Sequence, residues 1–397
     1  MNDVDFQINR IKKGVSQIIC EDELKERIEH SIKTSTPLRV KFGADPSAPD
    51  IHLGHTVALG KLKVFQELGH RVIFLIGDWT GMIGDPSGKS QTRKPPTKEQ
   101  VLKNAKTYKE QVFKVLDREK TEVVFNSSWL EKISSSDIVH LCAKTTVARL
   151  LEREDFKNRY TSGSPISLHE FLYPLFQAYD SVVLNSDVEI GGTDQTFNLL
   201  LGRQLQVEYL QKPQVVITMP LLEGTDGVQK MSKSLGNHIG INDASDDMFG
   251  KIMSIPDTLM RKYYELLLEK DFDKNTHPMQ IKISLAYSLT SMYKGKDEAE
   301  KAKERFQRVF SQRQPPEQIN EYFIKNDRVW LVRLITGCGG AKSLSQARRI
   351  ITGGGVRLNN NKISDPKIEV LLKDGDVLQV GKRFFVKMRL LKNPNNL

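Results

Sequence analysis

The sequence predicts an α/β fold: a doubly wound parallel sheet, followed by an α-helical domain and a small basic α/β domain. Three observations lead to this prediction. A strand, a helix and a buried strand follow one another at residues 38–77, in the clearest pattern of the chain. Further β-branched apolar segments alternate with helical ones as far as residue 222, which is typical of a parallel sheet covered by helices. The excess positive charge is confined to the carboxyl-terminal segment.

The first βαβ unit has the most regular pattern. Residues 38–44 (LRVKFGA) form the first strand, residues 55–68 the helix, and residues 71–77 (RVIFLIG) a buried strand. Gly69 ends the helix. Four apolar residues of the middle segment recur at helical spacing: Ala58, Leu62, Phe65 and Leu68.

The rest of the chain continues the alternation, and its elements define four regions. In order, we expect a helical stretch over 1–35, a loop over 80–96, a helix over 98–118, a strand beginning at 121, helices over 135–185, a strand and glycine turn within 186–195, a helix over 197–210, a strand over 214–222, helices over 243–310, and a helix over 343–352 followed by strands. The regions are a sheet domain over 1–240 with an N-terminal helical extension, an α-helical domain over 241–310, a linker over 311–327 and a basic domain over 328–397.

The charge distribution points to an acidic partner. The chain carries a net charge of +10, and residues 328–397 contain 14 basic and 4 acidic residues. The preceding 327 residues contain 45 of each sign and are neutral. A nucleic acid or an anionic membrane would be attracted to the basic segment.

Composition excludes several classes of protein. Hydrophobic residues make up 39% of the chain, which fits a packed globular protein and not a disordered one. The sequence contains no apolar run long enough for a membrane span and no signal-peptide pattern at its start. The three cysteines are far apart and form no CxxC pair, so we expect neither a cysteine-rich zinc site nor a disulfide framework, and a cytoplasmic location.

Two histidines open the helix of the first βαβ unit. His52 and His55 lie three residues apart in the motif HLGH, after the carboxyl end of the first strand. Doubly wound sheets bind nucleotides at this position, because helix N-terminal amides favour phosphate. Neutral or charged imidazoles can donate hydrogen bonds to phosphate oxygens. The alternative is a helix cap with one structural histidine.

A second motif, KMSKS at residues 230–234, follows the last strand on a glycine-flanked loop. Two lysines and two hydroxyl groups on a mobile loop suit a polyphosphate that is held only transiently. The alternative is a solvated polar loop.

HxGH and KMSKS together are the joint signature of class I aminoacyl-tRNA synthetases, and the chain resembles the bacterial tyrosyl-tRNA synthetases over essentially its whole length. Within that family, it resembles the second bacterial subtype. The resemblance rests on five motifs that recur in the same order: KFGADPSAPDIHLGH (41–55), GDPSGK (84–89), YPLFQAYD (173–180), GGTDQ (191–195) and KMSKS.

The resemblance implies a Rossmann-like catalytic domain over 1–240, an anticodon-side helical domain over 241–310 and an RNA-binding domain over 328–397. The implied reaction joins tyrosine and ATP into tyrosyl-adenylate and pyrophosphate, and then transfers tyrosine to tRNA(Tyr). ATP would arrive with Mg²⁺ bound mostly by its phosphates, and no metal would be held by the protein. By resemblance, the catalytic residues are His52, His55, Lys89, Arg93, Lys230 and Lys233, and the ATP-binding residues are Asp45, Gly54, Gly192, Asp194, Met231 and Ser232.

The same resemblance implies the amino-acid site. Asp180 would meet the phenol hydroxyl, and a buried carboxylate there would be left unpaired by phenylalanine. The implied tyrosine site comprises Lys41, Asp85, Tyr173, Gln177, Asp180 and Gln195. Lys41 departs from the commoner bacterial subtype, which has a phenol-binding tyrosine at this position, so Lys41 is either part of the site or pairs with an acidic neighbour.

The basic domain would bind the tRNA backbone, with contacts that position the RNA without reading its sequence. The implied RNA-binding residues are Arg348, Arg349, Arg357, Lys362, Lys382 and Arg383. The family also implies a homodimer, for which apolar residues within 120–160 are the place to look. Two alternatives remain: the sister tryptophanyl-tRNA synthetase, and a catalytically inactive synthetase acting as an RNA-binding protein. A solvated basic surface is the alternative for the last domain.

Overall fold

The computed structural model describes residues 3–46, 49–85, 97–273, 275–308, 320–381 and 384–391. The chain divides into two compact units, residues 1–299 and 300–397. The further division of the first unit at residue 240 stays a prediction. No helix in the described part of the chain is long and apolar enough to cross a membrane.

The first unit is built on a six-stranded sheet with the strand order β1-β6-β5-β2-β3-β4. β1 pairs antiparallel with β6, and the other neighbours pair in parallel. The strands are β1 (Gln17–Ile19), β2 (Arg39–Ala44), β3 (Arg71–Ile76), β4 (Thr121–Phe125), β5 (Val188–Gly192) and β6 (Val215–Met219).

Helices connect the strands and continue beyond them. They are α1 (Val4–Lys12), α2 (Glu21–Thr34), α3 (Leu53–Glu67), α4 (Thr80–Ile83), α5 (Lys98–Val112), α6 (Ser127–Leu130), α7 (Ser135–Cys142), α8 (Val147–Leu150), α9 (Glu154–Thr161), α10 (Leu168–Leu184), α11 (Thr196–Glu208), α12 (Ser245–Ser254), α13 (Met260–Leu268), α14 (Pro278–Lys294) and α15 (Lys296–Phe306), which crosses the boundary between the units. The predicted α/β fold with a parallel sheet is confirmed.

The order of the strands determines where a crevice opens at the edge of the sheet. The chain runs outward from β2 through β3 to β4, and then returns to β5 and β6 on the other side of β2. Because parallel crossovers are right-handed, this reversal sends the connecting helices to opposite faces of the sheet. A crevice therefore opens at the carboxyl ends of β2 and β5.

The amino-terminal prediction was wrong in one respect. Residues 1–35 were expected to be helical, but Gln17–Ile19 form β1, whose Ile18 pairs with Ile217. Three residues are too few for a strand period to be recognised in the sequence. The pairing with β6 is a long-range contact that decides the conformation of this segment.

The second unit is a small mixed α/β structure with its own core. Its five-stranded sheet has the order β10-β9-β12-β13-β7, and β11 pairs with β8. The core packs Leu331, Ile335, Ile351 and Leu378 among other apolar residues. Its elements are β7 (Asn320–Ile324), β8 (Arg328–Trp330), α16 (Leu331–Gly337), α17 (Leu344–Thr352), β9 (Val356–Leu358), β10 (Asn361–Ile363), β11 (Glu369–Leu371), β12 (Val377–Val380) and β13 (Phe384–Leu390).

The linker predicted over 311–327 is too long at its carboxyl end. Asn320–Ile324 form β7, which pairs in parallel with β13 and closes the sheet of the second unit. The partner strand follows about sixty residues later, so local composition could not reveal the pairing. Ser343 caps α17 as expected, since its hydroxyl accepts a hydrogen bond from the Gln346 backbone N–H at 3.2 Å.

Candidate active site

A cavity of about 600 Å³ lies at the carboxyl ends of β2 and β5. Four predicted segments of the first unit line it: the HxGH turn before α3, the KMSKS loop after β6, the GGTDQ turn after β5, and one face of α10. Most of the sequence-predicted residues of the first unit therefore meet in one place. They are Asp45, His52, Gly54, His55, Asp85, Tyr173, Gln177, Asp180, Gly192, Asp194, Gln195, Lys230, Met231, Ser232 and Lys233.

The two histidines form a neutral pair at the start of α3. Their ring centroids lie 3.8 Å apart. Burial, followed by the nearby charge of Lys233, lowers the pKa of His55 to about 4, and burial also lowers the pKa of His52. The His52 backbone N–H donates to His55 Nδ1 at 3.2 Å, so the neutral His55 ring carries its proton on Nε2. His52 is the N-cap residue of α3, as the helix-cap alternative also predicted.

The KMSKS loop is tied to the histidine turn. The Gly54 backbone N–H donates to Met231 Sδ at 3.3 Å. The Ser232 backbone N–H donates to Asn237 Oδ1 at 2.8 Å, within the loop itself. The first signature segment and the last therefore share one wall of the cavity.

Both signature lysines are held by carboxylates. Lys230 Nζ lies 2.7 Å from Asp194 Oδ2, and Lys233 Nζ lies 2.6 Å from Asp50 Oδ2. The lysine side chains keep 40% and 23% of their exposure, respectively. These pairs are accessible from the cavity, where an anionic ligand could exchange with the carboxylates.

One face of α10 contributes polar groups at one-turn spacing. Tyr173 Oη donates to Asp45 Oδ2 at 2.8 Å. Burial, followed by the charge of Asp45, raises the pKa of this phenol well above its usual range. Gln177 Oε1 accepts from Asn198 Nδ2 at 2.9 Å. Helical geometry brings Asp180 onto the same face, as the spacing predicted.

Asp180 is a fully buried acceptor at the end of this row. It is 1% exposed. Trp129 Nε1 donates to its Oδ1 at 2.8 Å, and Asn126 Nδ2 donates to its Oδ2 at 3.2 Å. Burial raises the pKa of Asp180 to about 7, against the lowering influence of the Lys41 charge. Each carboxylate oxygen retains a lone-pair site for a further donor.

The sequence-based reasoning missed the two donors to Asp180. Asn126 directly follows the carboxyl end of β4, and Trp129 lies one turn later on α6. The rule that placed His52 applies equally to Asn126, because the carboxyl ends of parallel strands share one edge of the sheet. For Trp129, no signal in the sequence indicated the contact.

Asp85 and Gln195 belong to a second polar cluster at the cavity. Gln195 Nε2 donates to Asp85 Oδ2 at 3.0 Å, and Arg153 Nη2 lies 3.0 Å from Asp85 Oδ1. Arg153 Nη1 also donates to Asn198 Oδ1 at 3.2 Å. Arg153 and Asn198 were not predicted, since neither lies in a recognised motif.

Gly192 permits a close approach of two chain segments. A Cβ atom on this glycine would lie 2.6 Å from Asp194 Oδ1 and 2.9 Å from Leu221 Cδ2. Any larger residue here would displace the Asp194 carboxylate that holds Lys230. Gly192, the second glycine of GGTDQ, is thus favoured by this close packing.

The placement of Lys41 at the tyrosine site needs correction. Lys41 is not among the described residues that line the cavity. Its ammonium forms a buried ion pair with Glu189 Oε1 at 2.9 Å, which is the acidic neighbour that the sequence analysis gave as the alternative. The reason is the strand register, since Lys41 and Glu189 are direct partners on β2 and β5.

Four predicted residues lie outside the described residues: Lys89, Arg93, Lys382 and Arg383. In the second unit, Arg348 and Arg349 are exposed on α17, and Lys362 is exposed on β10. Arg348 Cζ lies 5.4 Å from the centroid of the Trp330 ring. Arg357 is half-buried and donates to the Asn360 carbonyl at 3.0 Å. The predicted RNA-binding side chains that the structure describes are therefore distributed over a helix and two short strands.

Comparison with known protein families gives two matches. The model of the family "tRNA synthetases class I (W and Y)" matches residues 33–311, and the S4 domain model matches residues 329–378. The first match covers the six-stranded sheet except β1, together with the cavity. The second match lies within the small mixed α/β unit.

Curated relatives match nearly the whole chain. A tyrosine–tRNA ligase of Moorella thermoacetica is 51% identical over 97% of this chain and 96% of its own length. A tyrosine–tRNA ligase of Geobacter metallireducens is 54% identical over 96% of this chain and 98% of its own. Among solved structures, a tyrosyl-tRNA synthetase from Archaeoglobus fulgidus, complexed with L-tyrosine, superposes with a TM-score of 0.61. It is 23% identical and covers 76% of this chain and 100% of its own, which supports the fold.

Proposed function

The chain belongs to the class I tRNA synthetases of the tryptophan and tyrosine family, and from this premise we propose that it is a tyrosine–tRNA ligase. It converts tyrosine and ATP to tyrosyl-adenylate and pyrophosphate, and then transfers tyrosine to tRNA(Tyr). The relatives that match it at 51% and 54% identity carry the same name.

The choice of tyrosine rests on Asp180. This buried carboxylate lines the cavity at the end of the α10 row and already accepts hydrogen bonds from Trp129 and Asn126. A phenol hydroxyl is a donor that fits its remaining lone pairs, whereas the benzyl ring of phenylalanine would leave the acceptor without a partner. An indole is a larger ring with its donor elsewhere, which disfavours tryptophan.

The remaining pocket residues contact the ammonium group and the ring of the tyrosine. Asp85 provides a carboxylate for the ammonium group, and Gln195 and Gln177 provide amides beside it. Tyr173, whose hydroxyl is bound to Asp45, forms a wall next to the ring. In this arrangement the tyrosine carboxylate faces the glycine turn after β5, where the nucleotide enters.

ATP, as its Mg²⁺ complex, is the second substrate. His52, Gly54 and His55 contact its phosphates and ribose at the N-terminus of α3, where backbone amides favour anions. Because both imidazoles are neutral, they act as hydrogen-bond donors and not as charges. Gly192 and Asp194 lie beside the adenylate ribose, and Met231 and Ser232 beside the nucleotide. Mg²⁺ prefers the phosphate oxygens as ligands.

The chemical step needs no side-chain nucleophile, since the tyrosine carboxylate attacks the α-phosphate itself. Catalysis is therefore positioning and charge stabilisation. Lys230 and Lys233 exchange their carboxylate partners, Asp194 and Asp50, for the phosphates of the leaving pyrophosphate. Lys89 and Arg93 are proposed, from the family pattern alone, to contact the same group.

The second unit is proposed to hold the tRNA backbone through Arg348, Arg349, Arg357, Lys362, Lys382 and Arg383.

We propose a homodimer as well. Three large apolar residues between the strand β4 and α10 are strongly exposed in the single chain: Val139 at 67%, Val147 at 63% and Tyr160 at 69%. A second subunit that packs against this region would bury their apolar surface. A cytoplasmic location follows from the reaction, which consumes ATP and tRNA.

Amino-acid-dependent ATP–pyrophosphate exchange tests the proposal. Tyrosine should support exchange, tryptophan and phenylalanine should support little, and tRNA(Tyr) should become charged with tyrosine. Exchange with tryptophan alone would assign the chain to the sister enzyme. Absence of exchange with every amino acid would leave an inactive RNA-binding protein.

A further inference from the structure

A buried polar network adjoins the tyrosine pocket, whose lining includes Glu189. At its centre are Lys41 and Glu189, which are 0% and 1% exposed. Lys41 Nζ lies 2.9 Å from Glu189 Oε1 and donates to Ser181 Oγ at 2.7 Å and to the Gln177 carbonyl at 3.3 Å. An ammonium has three donors, so its hydrogen bonds are complete and Lys41 does not need the substrate as a partner.

The carboxylate of the pair is also fully engaged. Glu189 Oε2 accepts from Ser181 Oγ at 2.8 Å and from Gln214 Nε2. The helix α11 covers this cluster closely, because a Cβ atom on Gly202 would lie 2.9 Å from Gln214 Nε2 and 3.1 Å from Ser181 Oγ. Burying an ion pair is costly unless hydrogen bonds satisfy both charged groups, as they do here. Its position next to the pocket calls for a functional reason.

The network contacts α10 on both sides of Asp180. Lys41 contacts Gln177 and Ser181, which precede and follow Asp180 within one helical turn. Three ionisable side chains thus share one buried region: the Lys41 ammonium, the Glu189 carboxylate and the Asp180 carboxylate. Apart from burial, the Lys41 charge has the largest influence on the pKa of Asp180, which it lowers, whereas the Glu189 charge raises it.

We propose that Lys41 is a positioning residue for tyrosine recognition: its buried charge offsets that of Glu189, so that Asp180 can serve as an ionised acceptor for the phenol. This inference rests on the proposed tyrosine–tRNA ligase function. Lys41 acts through its neighbours and does not touch the amino acid. Without the Lys41 ammonium, the Glu189 and Asp180 carboxylates would share one buried region, and one of them would take up a proton.

Three variants of the full-length chain test this assignment by ATP–pyrophosphate exchange, with tyrosine, phenylalanine and ATP varied in turn. Lys41→Met removes the cation and keeps the length of the side chain. Lys41→Met/Glu189→Gln removes both opposite charges and restores the net charge of the region. Lys61→Met is the matched control. Lys61 lies on α3, is also buried at 2% exposure, and donates to the Lys13 carbonyl at 2.6 Å. It is not among the described residues that line the pocket.

In Lys41→Met, the KM for tyrosine should rise about tenfold or more, and the preference for tyrosine over phenylalanine should fall by about the same factor. The KM for ATP should stay within about twofold. The double variant should return to within about threefold of wild type in both quantities. Lys61→Met should match wild type in the KM for tyrosine.

If Lys41→Met keeps the wild-type KM for tyrosine and the wild-type preference, the inference is overturned. Tyrosine-dependent exchange in the wild type would still uphold the proposed function. Equal impairment of Lys41→Met and the double variant would also overturn it, because the side chain would then matter for its shape and not its charge. If Lys41→Met does not fold, the double variant decides alone: near-wild-type recognition supports the inference, and a raised KM for tyrosine refutes it. Absence of tyrosine-dependent exchange in the wild type would overturn both proposals.

Discussion

Replacing Asp180 with asparagine perturbs the proposed recognition of the phenol with little change in shape. The side chain is 1% exposed and accepts hydrogen bonds on both oxygens, from Trp129 and Asn126. An amide keeps the volume and one acceptor oxygen, but it loses the negative charge. Its NH₂ group must face either an existing donor or the phenol.

The magnitude follows from the loss of one hydrogen bond to a charged group. Such bonds contribute about 1.5–3 kcal/mol, which corresponds to a factor of about ten to one hundred in kcat/KM for tyrosine. Phenylalanine makes no such bond, and its kcat/KM should change by less than about threefold. The tyrosine preference of Asp180→Asn should therefore fall about ten- to hundredfold.

The assay is ATP–pyrophosphate exchange with each amino acid at saturating ATP. Asp78→Asn is the control: Asp78 is 8% exposed and accepts from Ser127 Oγ at 2.6 Å, but it is not among the described residues that line the cavity. The control should keep the wild-type preference. An unchanged ratio in Asp180→Asn, or an equal loss in both variants, would refute the assigned role.

Three further predictions concern charge and domain structure. Asp180, with a pKa of about 7, gains a proton as the pH falls from 8 to 6, while His55, with a pKa of about 4, stays neutral. The KM for tyrosine should therefore rise over this interval in the wild type and stay constant in Asp180→Asn. Lys230→Met and Lys233→Met should each lower kcat for exchange about a hundredfold, and an effect confined to the KM for tyrosine would contradict their role. A chain ending at residue 308 should retain exchange and lose most tRNA charging, whereas equal loss of both would make the second unit structural.

The cut at residue 308 differs from one that the sequence alone would suggest. Composition placed the start of the basic domain at residue 328, but β7 at Asn320–Ile324 belongs to the sheet of the second unit. Ending the chain at 327 would leave this strand without its partner. The charge distribution therefore places the start of the second unit too late in the chain, because it leaves out β7.

Much of the fold and the site could be predicted from short-range patterns. Buried strands such as β3 are continuous apolar runs because both faces are covered, and all its residues after Arg71 are buried. The HxGH and KMSKS segments lie after strands of a parallel sheet, so topology alone brings His52 and Lys230 to one edge. The one-turn spacing of Tyr173, Gln177 and Asp180 placed them on one face of a helix.

The sequence by itself thus determined most of the strands and helices of the first unit, which edge of the sheet holds the site, and where the positive charge lies. These properties depend on residues that are neighbours along the chain. The tertiary structure alone decided that Lys41 pairs with Glu189, that Trp129 and Asn126 donate to Asp180, and that β1 and β7 complete their sheets. The physical reason is that a buried charge or an unpaired strand edge is stabilised by whichever partner the fold brings close, and that partner leaves no periodic signal in the sequence.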